Sequence, residues 1–354
     1  MRQLHVMSGR ITISWPSQIS IMLHSHLLIA PLVGLAFSLA AEAADFGAVP
    51  DPYTGNWSGT LATKSGDQDA HAIVIAAKNG FEVFFRESLN PRDELVAQGF
   101  GFQDGDRLVV HSDSNTVEGA IEDGQFSGSL SGMNAGSFVL EKIPFKPSET
   151  LGKKAPAGAV VLFDGMDMSA WESRKVPDEA IRWIITDEGE LEVVSFLDGK
   201  KAKQDLKTKE VFGDYHLHLE FNLFYKPAAK EQGRSNSGIF HHGVYETQIL
   251  DSFGQYGAHN DCGGIYKQRQ SDVNAGYPGG VWQTFDIDLK APRFDANGKK
   301  TKDARMTVRL NGVLVHDNVT VAKGGKEPAE GPIILQDHGS PVRYRNVWIV
   351  RRGK

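Results

Sequence analysis

The stretch Tyr215-His-Leu-His-Leu-Glu-Phe-Asn-Leu-Phe224 alternates strictly. Successive residues of a β-strand point to opposite faces. Tyr215, Leu217, Leu219, Phe221 and Leu223 therefore share one face, and His216, His218, Glu220, Asn222 and Phe224 the other. One face packs on a core and the other meets water or a cleft. The same period spreads outward. Arg305 to His316 reads RMTVRLNGVLVH, two alternating runs joined by Asn311-Gly312, a dipeptide suited to the positive φ angles of a tight hairpin. Trp282 to Leu289, Ile333 to Leu335 and Tyr344 to Val350 add strands. No segment carries a long 3.6-residue apolar period. Many strands without a helical crossover exclude a doubly wound α/β fold and predict a two-sheet sandwich or jelly roll over residues 159–354.

Ahead of it, residues 44–147 read as a small β-sheet accessory domain. Its strand-like runs are Trp57–Ala62, Ala72–Ala77, Phe81–Arg86, Arg107–His111, Val117–Ile121, Phe126–Leu130 and Phe138–Lys142. Asn79-Gly80, Asp104-Gly105 and Asp123-Gly124 mark tight turns between several of them, which predicts an antiparallel meander or barrel-like sheet. Residues 148–158 have linker composition. Leu27 to Leu39 (LLIAPLVGLAFSL) followed by Ala41-Glu42-Ala43 has the pattern of a secretory signal peptide over residues 1–43, with Met22 an alternative start. The mature chain is expected to be secreted or periplasmic, with no integral membrane span after cleavage.

Composition narrows the function. The 354 residues carry a net charge of −6, with 40% hydrophobic and 23% charged residues, the profile of a globular protein. Nucleic-acid binding normally shows a basic excess, and there is none. Cys262 is the single cysteine, so an intrachain disulfide and a Cys-based zinc site are both excluded. It reads as an inert thiol. His71 and His111 stand unsupported and read as structural.

Strand geometry gathers polar residues. Glu246 and Gln248 share a face, with Asp251 at the strand end. Gln336 and His338 share a face, as do Arg343 and Arg345, leaving Tyr344 and Asn346 on the opposite one. Carboxylates, amides, guanidinium groups and aromatic rings are what a sugar needs, and so is a solvated outer face. His216, His218 and Glu220 could chelate a metal from one strand face or simply line it. The adjacent pair His241-His242 is a weaker case.

The motifs in order are Leu162-Phe-Asp-Gly-Met-Asp-Met-Ser-Ala-Trp171, Asn236-Ser-Gly238, Tyr245-Glu-Thr-Gln-Ile-Leu-Asp251, Gly264-Ile-Tyr266, Trp282-Gln283, Leu310-Asn-Gly312, Gly331-Pro-Ile-Ile-Leu-Gln-Asp-His338 and Arg345-Asn-Val347. Their order and spacing resemble the 3-keto-disaccharide hydrolase domain family over about Ala159 to Arg352. The chain departs from the family pattern at Gln283 and at His241-His242. The resemblance implies an all-β chain with a concanavalin A-like jelly roll, and activity on glycosides already oxidised at C3. Such a ketone acidifies the C2 proton. A base then forms an enolate, which expels the C1 oxygen, and water adds back. The resemblance places His338 or Glu246 as base and Arg345 on the oxyanion. Gln248, Gln336 and Asn236 hold hydroxyls, and Tyr266 or Trp282 stacks on the ring. Asp251 orients His338 or binds a divalent cation, for which no spacing defines the ligands. Two other classes stay open: a non-catalytic carbohydrate-binding protein, and a laminarinase-type endo-glucanase. The latter is disfavoured by Gln248 where a carboxylate would stand.

Overall fold

A computed structural model describes residues 51–353 apart from 115, 133, 134, 198, 202 and 326. The expected signal segment lies outside the described residues. Eight strands come first: β1 (Gly55–Thr63), β2 (Gly66–Ala77), β3 (Gly80–Arg86), β4 (Leu95–Asp104), β5 (Arg107–His111), β6 (Val117–Glu122), β7 (Gln125–Leu130) and β8 (Gly136–Ile143). Each pairs antiparallel with the next, and β1 returns to β8 to close a barrel. Closure leaves the sheet no free edge. Trp57, Phe85, Phe126 and Phe138 fill the interior. The rings of Phe85, Phe126 and Phe138 have centroids 4.9–5.6 Å apart.

The rest is a sandwich built from β9 (Val160–Phe163), β10 (Trp171–Ser173), β11 (Ile184–Ile185), β12 (Leu191–Glu192), β13 (Phe196–Leu197), β14 (Lys200–Lys201), β15 (Leu206–Thr208), β16 (Tyr215–Leu223), β17 (Asn236–His241), β18 (Tyr245–Leu250), β19 (Gln283–Lys290), β20 (Arg293–Phe294), β21 (Lys300–Lys302), β22 (Ala304–Leu310), β23 (Val313–Val321), β24 (Ile334–Leu335) and β25 (Val342–Arg351). One sheet has the order β10-β15-β24-β17-β18. The other runs β11-β12-β25-β16-β19-β22-β23, with β9 added against β25. The apolar face of β16 points into the core between them, with Ile239, Ile249 and Leu335 coming from the smaller sheet. Tyr344 of β25 reaches across that core, its hydroxyl 2.7 Å from Ser237 Oγ on β17. The β22–β23 turn is the expected one: Asn311 and Gly312 take φ of 52° and 80°.

Barrel and sandwich are packed together. Ile73, Ile75 and Phe253 form a small apolar cluster with Phe145. The Arg92 guanidinium donates to the carbonyls of Tyr256, Gly257, Ser271 and Asp272. The segment with linker composition is also tied down. It crosses the outer face of the larger sheet, where Thr150 Oγ1 donates to Asp286 (2.6 Å), Gly152 N–H to Glu220 (2.5 Å), and Asn346 Nδ2 to the Lys153 carbonyl (2.9 Å).

Candidate active site

The outer face of the smaller sheet carries the site. Register fixes which side chains are neighbours. Phe240 of β17 opposes Glu246 of β18, Gly238 opposes Gln248, and Asn236 opposes Leu250. Residues 263–266 extend the sheet beyond β18, since Gln248 N–H donates to Gly264 O and Tyr266 N–H to Glu246 O, both at 2.9 Å. Ile265 points into the core, so Tyr266 stands beside Glu246 on the outer face. On the other flank, Gln336 N–H donates to Gly238 O at 3.0 Å, and Arg174 N–H to Asp205 O at 2.9 Å. The resulting row across the sheet reads Gly264, Gln248, Gly238, Gln336, Asp205, Arg174. Two of its members lack side chains: over Gly264 the backbone carbonyls of Ala258 and His259 fill the space, and over Gly238 a hollow is left beside Gln248.

Glu246 leans into that hollow. A Cβ on Gly238 would lie 2.5 Å from Glu246 Oε1, so the carboxylate occupies space that only glycine leaves free. Burial pushes the Glu246 carboxyl up, and Lys323, Arg174 and Lys267 offset this only in part, leaving it at about 7. A carboxylate poised there is a competent general base near neutral pH. Arg174 forms an ion pair with Asp205 at 3.0 Å and lies over the Phe240 ring, 5.1 Å from its centroid. The Gln248 amide donates to Asn236 Oδ1 at 3.0 Å, and the Asn236 amide donates to Gln232 Oε1 at 3.1 Å. Among the described residues Gln336 Oε1 has no hydrogen-bond partner, and such groups usually have a reason.

The residues expected from sequence divide between two surfaces. Glu246, Gln248, Asn236, Gln336 and Tyr266 meet on the smaller sheet. His338 follows β24, exposed to solvent, with its ring kept below the usual histidine range by burial of one side and by Lys203. Arg345 and Trp282 do not join them. Tyr344 faces the core, so Arg345 faces outward from the larger sheet, across the sandwich from Glu246. There it bonds Glu220 at 2.8 Å and stacks on Trp282, 3.9 Å from the ring centroid. Asp251 is fully buried and paired with Arg234 at 2.7 Å, which removes it from the role of orienting His338. Asn346 is another departure from simple alternation. Its φ of 49° and the register shift of β25 against β16 turn it to the outer side, where it bonds Glu220. His218 is bonded to Asp286 at 2.8 Å beneath the crossing segment rather than left free to chelate. Among the described residues no group of three or more His, Cys, Asp or Glu side chains is arranged to share a metal ion. Cys262 is buried and its thiol is pushed up to about 12, as suits an inert group.

Arg174, Asp205, Gly238 as a floor, and Gln232 were not found from sequence. The three-residue strand β10 and the two-residue strand β24 carry no periodicity to reveal which residues become neighbours.

An antiparallel sandwich bearing a row of amides, a half-buried carboxyl and aromatic rings on one sheet face defines a carbohydrate-acting enzyme. The chain belongs to the 3-keto-alpha-glucoside-1,2-lyase-like domain family, whose pattern matches residues 158–350. A candidate glycosyl hydrolase from Parabacteroides distasonis ATCC 8503 is 35% identical, with a TM-score of 0.51 over 60% of this chain and 93% of that one. A second candidate glycosyl hydrolase from the same organism is 18% identical, with a TM-score of 0.43 over 55% of this chain and 95% of that one. No curated protein matches the chain.

Proposed function

We propose that the protein cleaves 3-keto-glycosides by elimination across C1 and C2, followed by hydration. The observation that carries this reading is the Glu246 carboxyl, raised to about 7 and seated over Gly238 among amides that can hold hydroxyls. Glu246 takes the proton from C2, and the C–H electron pair moves into a C2–C3 enolate. The ketone re-forms, a C1–C2 double bond appears, and the C1–oxygen bond breaks. The departing oxygen takes a proton from the newly protonated Glu246. Water then adds at C1 of the enone and a proton returns to C2. Arg174, whose charge acts on Glu246 and whose guanidinium lies over the neighbouring Phe240 ring, takes the oxyanion role that the position of Arg345 does not allow. Gln248, Gln336 and Asn236 bind hydroxyls, and Tyr266 offers a ring face. We assign the base role to Glu246 rather than to His338, which stands exposed past the end of β24, and we expect His338→Ala to change kcat by less than about threefold. The signal pattern before Ala44 supports action outside the cytoplasm. Among the described residues no helix is long and apolar enough to cross a membrane.

The test is to incubate the mature protein with methyl 3-keto-α-glucoside, with and without EDTA, and follow products by NMR. Enone or free 3-keto-glucose supports the proposal. Saturable binding without turnover would make this a carbohydrate-binding protein instead. Gly238→Ala probes the geometry more finely. Its methyl group displaces the carboxylate, and kcat/KM is expected to fall by about tenfold or more, since small misplacements of reacting groups are costly. Unchanged kcat/KM in a folded Gly238→Ala protein would count against Glu246 as base.

A further inference from the structure

Where β18 ends, the barrel and the sandwich enclose a cleft of about 380 Å³, within the range of small-molecule sites. Ala76 and Ala77, which end β2, form part of the barrel wall, with Lys78 and Glu82 beside them. Leu250, Gln232 and Asn260 belong to the sandwich wall. The lining therefore combines an apolar floor with amides and with charges of both signs. That mixture suits a neutral ligand with an apolar ring face and many hydroxyls; three basic and four acidic side chains line the cleft, so the charges nearly cancel and an anion gains little.

The cleft is connected to the Glu246 centre by a chain of hydrogen bonds. Gln248 donates to Asn236, Asn236 to Gln232, and Gln232 Nε2 to the Asn260 carbonyl at 2.8 Å. Leu250 lies four residues beyond Glu246 on the same strand face, about 13 Å away at the rise of a β-strand. The Glu246 carboxylate leans over Gly238, which opposes Gln248, so the gap left to the Leu250 row is about 7 Å, the reach of a second sugar on C1. Outward, a further hollow shares Ala76, Ala77 and Pro227 with the cleft and reaches Phe102, whose ring is 46% exposed. The barrel itself lies outside the matched residues 158–350.

Resting on the 3-keto-glycoside reading, we propose that the barrel–sandwich cleft is the leaving-group subsite, built to take a glycosyl leaving group, and that the barrel sets this specificity. The experiment compares 3-keto-trehalose, whose leaving group is glucose, with methyl 3-keto-α-glucoside, whose leaving group is methanol. Ala77→Trp fills the cleft from the barrel side, and Asn260→Leu, at a half-buried position, removes a hydroxyl partner from the sandwich side. The ratio of kcat/KM for 3-keto-trehalose over the methyl glycoside is expected to fall at least tenfold in Ala77→Trp and severalfold in Asn260→Leu. A ratio unchanged in whichever variants fold overturns the proposal. A wild type inert on both substrates would remove the catalytic reading. Titration calorimetry with trehalose then decides the subsite alone: binding weakened in the variants supports it, and equal binding or none by the wild type overturns it.

Discussion

Glu246→Gln is expected to lower kcat/KM on a 3-keto-glycoside by about a thousandfold, the middle of the range for losing a general base. The substitution keeps the side chain's size and its place above Gly238, so the fold and the hydroxyl contacts stay. What goes is the lone pair able to take the C2 proton. The pH profile of the wild type carries a second signature. Burial holds the Glu246 carboxyl at about 7, and the base works only when ionised. Activity therefore falls as pH drops below about 7 and levels off above it. Arg174→Met removes one of the cations that counter the effect of burial, so its acidic limb should move to higher pH as well as its kcat falling. A Glu246→Gln protein with full activity, or an acidic limb near pH 4, would assign the proton transfer to another group.

The architecture was readable because long strands carry their own period. Tyr215 to Leu223 repeats its apolar residues five times, and the side that packs inward follows directly. The strand missed in the barrel, β4, reads LVAQGFGFQD and reverses the usual logic. Its inward positions include Gly99 and Gly101. Leu108 and Val110 from β5 fill the space there, and a Cβ on Gly101 would lie 2.7 Å from Leu108 Cδ2. Its aromatic rings, Phe100 and Phe102, face outward. Periodicity sees apolar residues, and here the core face has the smallest ones. The candidate site was legible where its residues share one strand, as Glu246 and Gln248 do. It was not legible where assembly depends on which strands pair. Arg345 shares an expected motif set with Glu246, yet β25 belongs to the other sheet, and sequence order does not state sheet membership.

Glu220→Gln is expected to lower the unfolding free energy by about 3 kcal/mol near pH 6 while leaving kcat/KM within about twofold of wild type. Glu220 is fully buried beneath the segment that joins barrel to sandwich. Burial alone would raise its carboxyl, but His218, Asn346, Arg345 and the Gly152 N–H together bring it from 4.5 down to about 2. A carboxylate depressed in the folded state stabilises the protein above its unfolded value, and this stability is lost as pH falls from about 4.5 through about 2. His218 has the opposite sign. Burial disfavours its charge, but the bonds to Asp286 and Glu220 outweigh this and raise it. Its contribution is complete below 6.5 and declines as pH rises through the elevated value. The two together give a stability plateau between about pH 4.5 and 6.5, with a decline on each side. In Glu220→Gln the acid-side decline flattens, because the ionisable group is gone. Arg345→Ala leaves Glu220 without its guanidinium partner and should lower stability in the same direction, again without a matching loss of kcat. Urea unfolding across pH, paired with turnover assays on the same preparations, separates the two roles. An Arg345→Ala protein that keeps its stability but loses turnover would return this arginine to the reacting centre and move the site to the other sheet.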